Sequence, residues 1–335
     1  MKILITGGAG YIGSHAVKLM LEKGHKVVVI DNLYRGFLEV IKTLKDKYGD
    51  DNLTFYKADL RDYEEILNIL SKEKPIGVMH FAALCLVNES MEEPEKYFDN
   101  NVCGSLNLLK AILASGLNNI VFSSTCAVYG ESKYLSVDEK HPLCPTNPYG
   151  ESKLLVEKMI NWLGQCRGLS YTIMRYFNVS GASSDGLIGD SKKPSQLLVQ
   201  NAVRGALGID VFNLTCTQVK TKDGSPVRDY INVEDLVDAH KVALDRLIAG
   251  RPSDTFNLGT GKGSSVLEVV DQVKKITGTD FPVANAEARK GEYAEIYANI
   301  KKAEKILGWK PKKTIKDSVD SLVKWYKTHP NGWTK

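Results

Sequence analysis

Tyr149 and Lys153 stand four residues apart, so on a helix they share one face. An ammonium beside a phenol favours the phenolate and lowers its pKa from about 10, and a bound nicotinamide cation would lower it further. A phenol poised in that way is a general base for an alcohol. Ser123-Ser124-Thr125 precedes the pair, and a hydroxyl there can share a proton with the phenol and the alcohol. A base on an alcohol oxygen makes loss of hydride from the same carbon feasible, provided that an acceptor is held nearby. Alone, a Tyr/Lys pair at this spacing is usually an ordinary surface helix; its context decides the reading.

The opening thirty-one residues supply that context. Ile3-Leu4-Ile5 is a short apolar run of the kind buried in a parallel sheet. It leads through Thr6 into Gly7-Gly8-Ala9-Gly10-Tyr11-Ile12-Gly13, and Ile12, Ala16, Leu19, Met20 and Lys23 follow at helical spacing. Gly24 ends that helix, and Val27-Val28-Val29-Ile30 forms a second strand ending at Asp31. Gly7 and Gly10 permit a tight turn and close approach of backbone N–H groups to a pyrophosphate. Gly13 lets helix and strand pack closely, and the helix N-terminus turns its positive dipole end to the phosphates. Asp31 can accept hydrogen bonds from a ribose and repels a 2′-phosphate, which favours NAD over NADP.

The elements that position these groups alternate. Strands are expected at Leu53–Tyr56, Gly77–Phe81, Asn119–Phe122 and Tyr171–Arg175, with helices at 64–70, 94–113 and from Pro148 onward. This alternation predicts a doubly wound parallel α/β (Rossmann) sheet whose ligands sit at the carboxyl ends of the strands. Asp59, Ala82-Ala83 and Ser123–Thr125 fall at such ends, and Asp59 could reach an adenine or simply make a turn and helix cap. After residue 177 the texture changes to loops, short strand-like runs and helices at 196–205, 234–248, 265–277, 300–307 and 314–326. The expected division is a dinucleotide-binding domain over 1–177, with 233–262 packing back on it, and a smaller α/β substrate domain over 178–335.

Composition excludes several classes. The chain has 335 residues, 43% of them hydrophobic and 25% charged, with a formal net charge of +4. Its densest basic cluster, Lys310-Pro311-Lys312-Lys313, is too short to predict a nucleic-acid or membrane surface. The six cysteines are scattered without a Cys-x-x-Cys pair and the six histidines lack ligand spacing, so neither a metal site nor a disulfide framework is expected. No apolar run approaches bilayer length. A reducing, cytoplasmic setting is the expectation.

Thr6–Gly13, Tyr149-x-x-x-Lys153 and Arg175-Tyr176-Phe177-Asn178 resemble the extended short-chain dehydrogenase/reductases. Gly10–His15, Asp99–Val102, Arg228-Asp229-Tyr230-Ile231 and Asn257–Gly261 narrow the resemblance to the UDP-glucose 4-epimerases, over nearly the whole chain. The resemblance implies a tightly bound, internally recycled NAD, with Tyr149 as the base on the sugar 4′-hydroxyl. Thr125 would assist it, and Lys153 would hold the cofactor ribose. It extends the cofactor-facing set to Tyr11, Ile12, Asn32, Leu60, Phe81, Asn100, Ser123 and Tyr176, and assigns Asn178, Gln196, Arg228, Arg289 and Glu292 to the UDP-sugar. Arginines suit a diphosphate through bidentate, charge-assisted bonds. A homodimer through helices 94–113 and 149–165 is also implied.

The chain departs from the pattern at several points. Cys85 stands where bacterial relatives usually carry Lys, Gln196 replaces an Asn, and Glu292 replaces an Asp. Ile296 falls beside the sugar pocket, and Asn213–Thr217 lacks the Phe-Gly found near uracil in relatives. Epimerisation of UDP-xylose, UDP-arabinose or a UDP-N-acetylhexosamine, or other NAD-dependent nucleotide-sugar chemistry, is therefore the alternative. A 4,6-dehydratase is disfavoured, because Cys126-Ala127 follows Thr125 where an Asp-Glu pair is expected.

Overall fold

The computed structural model describes residues 1–191, 195–216, 218–285 and 293–334. The first half runs β1 (Lys2–Thr6), α1 (Tyr11–Glu22), β2 (Lys26–Ile30), α2 (Leu38–Tyr48), β3 (Leu53–Tyr56), α3 (Tyr63–Glu73) and β4 (Gly77–His80). It continues through α4 (Val87–Glu92), α5 (Pro94–Tyr97), α6 (Gly104–Ala114), β5 (Asn119–Ser123), α7 (Pro148–Arg167) and β6 (Ser170–Tyr176). The second half holds β7 (Asn178–Ser180), α8 (Leu198–Ala206), β8 (Phe212–Leu214), β9 (Val227–Arg228), β10 (Tyr230–Asn232), α9 (Val233–Ile248) and β11 (Asp254–Leu258). It ends with β12 (Ser264–Ser265), α10 (Val266–Thr277), β13 (Val283–Asn285), β14 (Glu295–Ile296) and α11 (Ile315–Thr328).

Seven strands form one sheet in the order β11-β6-β5-β4-β1-β2-β3, every pairing parallel. The strand order reverses between β1 and β4, and this is the switch point where an open α/β sheet leaves a crevice. Alternation along the strands splits the core in two. Ile3, Ile5, Val27 and Val29 pack with residues of α1, α2 and α9, whereas Leu4, Val28 and Ile30 pack with α3, α6 and α7. Burial on both faces explains why these strands read as continuous apolar runs.

Residues 233–258 return to this sheet. β11 pairs with β6, and α9 packs beside α1. A third core, containing Val199, Val203, Phe212, Val270, Phe281, Leu322 and Trp325, joins α8, α10 and α11. Small sheets β10-β7, β12-β9-β14 and β13-β8 complete the second half.

Two local features shape the site. α7 begins at Asn147, whose side chain accepts the Gly150 N–H at 2.8 Å, and has Pro148 in its first turn and Gly168 in the left-handed conformation at its end. The continuous helix expected over 94–113 is instead interrupted by a π-helical segment, Phe98–Cys103, between α5 and α6. That wider turn changes which residues face inward, as such segments do at functional sites. Asn100 borders the crevice, while Asn101, 1% exposed, bonds Leu84 N–H, Leu84 C=O and Ser152 Oγ at 2.8–3.0 Å.

Candidate active site

A cleft of about 1220 Å³ opens at the carboxyl ends of the strands. Gly7, Gly10 and Gly13 of the first turn line it. Gly7 has φ +72°, and a Cβ there would stand 2.6 Å from the Ala82 nitrogen. A Cβ on Gly13 would stand 2.1 Å from the Gly7 carbonyl oxygen. The turn is thus closed against both β4 and its own helix, as a dinucleotide turn requires. No side chain caps α1 and no acid lies in its first turn, so its N-terminal N–H groups are left for an anionic ligand. This cradle fits a pyrophosphate.

The adenosine end is organised by two carboxylates. Asp31 accepts the N–H groups of Ala9 at 3.0 Å and Leu33 at 2.8 Å. Burial raises its pKa while those two bonds lower it. Asp59 is gripped by Arg61 through Nε at 2.9 Å and Nη2 at 2.9 Å, and by Asn32 Nδ2 at 2.8 Å. The bonds from Arg61 hold its carboxyl well below the usual range. The capping role considered for Asp59 belongs instead to Asp62, which accepts the Glu65 N–H at the start of α3. Leu60, Phe81, Ala82, Ala83, Tyr11 and Ile12 complete the wall beside these residues. The Tyr11 hydroxyl donates to the Gly181 carbonyl at 2.5 Å, tying the glycine turn to the second half of the chain.

Tyr149, Lys153 and Thr125 line the same cleft. Tyr149 is 8% and Lys153 3% exposed, and the Tyr97 ring stands edge-on to Tyr149 with centroids 6.5 Å apart. Lys153 Nζ donates to the Ser123 carbonyl at 2.7 Å and lies 4.6 Å from the Phe122 ring centroid. Burial pushes the Tyr149 phenol well above its ordinary value, Tyr176 and Cys85 act in the same direction, and a hydrogen bond with Thr125 pulls it back. Burial pushes Lys153 down to about 8. Without a cofactor, burial therefore dominates the phenol, and the lowering expected from Lys153 together with a nicotinamide cation belongs to the cofactor-bound state. A cationic ring beside the phenol is what would favour the phenolate.

The three hydroxyls of Ser123–Thr125 divide their tasks. Only Thr125 borders the cleft. Ser123 sits behind it, 1% exposed, with its hydroxyl donating to Tyr176 Oη at 3.0 Å. Ser123 thus touches Tyr176 and Lys153, which line the cleft, without lining it itself. Ser124 is fully buried and donates to Glu157 Oε1 at 2.5 Å.

On the opposite wall stand Asn178 at the start of β7, Gln196 just before α8, and Arg228 in β9. Arg228 Nη1 donates to the Val227 carbonyl at 2.8 Å. Ile296, 4% exposed in β14, and Cys85, just beyond β4, also line the cleft. Arg289, Glu292 and Thr217 lie outside the described residues. The sequence reading missed Arg35 and Gly36 at the adenosine end, Asn88 and Met91 of α4, and Trp333 near the C-terminus, all of which border the cleft. It also missed Glu157, although an acid four residues beyond Lys153 extends the same buried stripe of α7. Among the described residues no cluster of His, Cys, Asp or Glu could hold a metal ion.

Sheet, glycine turn and buried Tyr–Lys pair together define a dinucleotide-dependent enzyme of the short-chain dehydrogenase/reductase type. The GDP-mannose 4,6 dehydratase family matches residues 4–322. A UDP-glucose 4-epimerase of Lactobacillus helveticus is 44% identical, with 99% of each chain covered. A crystal structure of a UDP-glucose 4-epimerase superposes with a TM-score of 0.93 at 42% identity, covering all of both chains. The Bifidobacterium longum UDP-glucose 4-epimerase, solved in complex with NAD+ and UDP, gives a TM-score of 0.94 at 35% identity, with 99% of this chain and 100% of that one covered. This chain belongs to that family, in the company of its UDP-glucose 4-epimerases.

Proposed function

We propose that this chain interconverts UDP-glucose and UDP-galactose by transient oxidation at C4 of the sugar, with an NAD that stays bound. The observation that carries the reading is the convergence of Tyr149, Lys153 and Thr125 on the cleft lined by the Gly7–Gly13 turn. A bound nicotinamide supplies the hydride acceptor at C4 and later the donor. Tyr149 takes the proton of the 4-hydroxyl and returns it, while Thr125 hydrogen-bonds the same oxygen. Lys153, held by the Ser123 carbonyl, binds the cofactor ribose. Asp31 accepts from the adenosine ribose, and the N-terminus of α1 faces the pyrophosphate. Asn178, Gln196 and Arg228 grip the nucleotide sugar, the arginine through its diphosphate.

Cys126 and Ala127 supply no acid–base pair beside Thr125, so elimination of water from the sugar lacks its machinery and the ketosugar is reduced again. This supports epimerisation over dehydration within a family whose description names a dehydratase. Residues 1–177 with 233–262 serve as the cofactor domain and 178–335 as the substrate domain. The cysteines form no disulfide among the described residues, which suits the cytoplasm. No helix of the described residues is long and apolar enough to cross a membrane. A second copy packs on α6 and α7, where Leu106 is 40% and Trp162 65% exposed; light scattering should give a dimer, and a monomer would refute it. The function is tested by incubating the protein with UDP-hexoses, UDP-pentoses and UDP-N-acetylhexosamines and identifying products by NMR. Conversion of UDP-glucose to UDP-galactose is expected, and failure of every UDP-sugar to react would overturn the reading.

A further inference from the structure

The buried stripe of α7 does not stop at the base. Tyr149, Lys153 and Glu157 follow at successive helical turns, and Glu157 is 1% exposed. A buried carboxylate is expensive unless it is paired and fully hydrogen-bonded. Glu157 meets that condition. Arg175 of β6 donates through Nε at 3.0 and 3.2 Å and through Nη2 at 2.5 Å, and Ser124 donates at 2.5 Å. The chain of bonds continues: Arg175 Nη1 donates to Tyr129 Oη at 3.1 Å, Tyr129 donates to Asn257 Oδ1 at 2.6 Å, and Asn257 Nδ2 donates to the Val137 carbonyl at 2.8 Å.

Ser124 is the hinge between two groups that the proposed reaction uses. Its preceding carbonyl, on Ser123, accepts Lys153 Nζ, and its following residue, Thr125, carries the hydroxyl bonded to the phenol. The end of β5 is therefore bound to α7 at two points one helical turn apart: Ser123 C=O to Lys153 and Ser124 Oγ to Glu157. The backbone here is also held to β6, where Ser124 N–H donates to the Met174 carbonyl at 2.8 Å, and the two bonds to α7 add the tie between strand end and helix. We propose that Glu157, paired with Arg175, is a positioning residue: through Ser124 it holds the strand end bearing Thr125 in register with the helix bearing Tyr149 and Lys153.

This rests on the proposed epimerase chemistry. Displacement of a reacting group by about 1 Å can lower a rate by roughly a hundredfold without altering binding. Ser124→Ala removes only the bond to Glu157 and leaves the Glu157–Arg175 pair intact. It should lower kcat by about ten- to a hundredfold. The rate at which substrate reduces the bound nicotinamide should fall in parallel, while the KM for the UDP-sugar, NAD retention and Tm stay near wild type. The double variant Glu157→Leu/Arg175→Met removes both charges, avoids an unpaired buried ion, and should show the same loss in kcat. Unchanged kcat in Ser124→Ala would overturn the proposal. So would a loss shared equally by kcat, KM and Tm, which would mark a role in folding alone. An inactive wild type would instead overturn the proposed function, so the two failures are separable.

Discussion

The two walls of the cleft are built by different means. The wall we assign to the cofactor includes backbone and small residues: a glycine turn and an uncapped helix end beyond β1, and Ala82 and Ala83 beyond β4. The wall we assign to the sugar is made of side chains, Asn178, Gln196, Arg228 and Ile296, carried on two- and three-residue strands or on loops. A backbone site is specified by where a Cβ is forbidden; a side-chain site by which distant segments pair. Variants should separate the two walls, with the reacting pair at their meeting point giving the largest effect.

Tyr149→Phe removes the proton acceptor and nothing else. Turnover should fall by about a thousandfold or more, with NAD still bound on gel filtration. Arg228→Met, on the sugar wall, should raise the KM for the UDP-sugar roughly ten- to a hundredfold, the worth of charge-assisted hydrogen bonds. Its NAD content should not change. An effect on NAD equal to that on the sugar would break the distinction between the walls. Gly13→Ala acts in the opposite sense, because the added methyl meets the Gly7 carbonyl oxygen. It should cost about 1–3 kcal/mol of stability and release NAD, measured by thermal unfolding and by nucleotide absorbance after purification.

A pH dependence of stability, separate from either wall, concerns three buried histidines. Burial lowers His80 to about 3, and His15 and His240 to about 4. Each is neutral in both folded and unfolded chains above about 6.5. Below that, the unfolded chain takes up protons that the folded one refuses, so stability falls as pH falls toward 4. The slope is about 1.4 kcal/mol per pH unit for each histidine. Calorimetry across this range should show the decline, and replacing His240 with an apolar ring should make it shallower.

The same contrast explains what the sequence made legible. β1, α1, β2 and Asp31 are contiguous, so periodicity and glycine spacing disclose them together. Tyr149 and Lys153 are likewise a local pair on one helix. The parallel sheet follows from alternation. Ile296 depends on β14 pairing with β9 across a long stretch of chain, which no local pattern encodes. The π-helical segment at Phe98–Cys103 escaped, because the apolar spacing of 94–113 fits an ordinary helix. The burial that raises the phenol of Tyr149 is a tertiary effect, and helical spacing alone pointed the other way. Glu157 was readable as a position on the stripe, but its task became visible only once Ser124 and Arg175 were placed around it.

The central claim is that one chain removes a hydride from C4 of a sugar and restores it to the same carbon. UDP-glucose deuterated at C4, incubated with the protein and no added NAD, tests this directly. The account predicts UDP-galactose that retains deuterium at C4, with no free NADH formed. Loss of the label to solvent, or deuterium accumulating in released NADH, would contradict it.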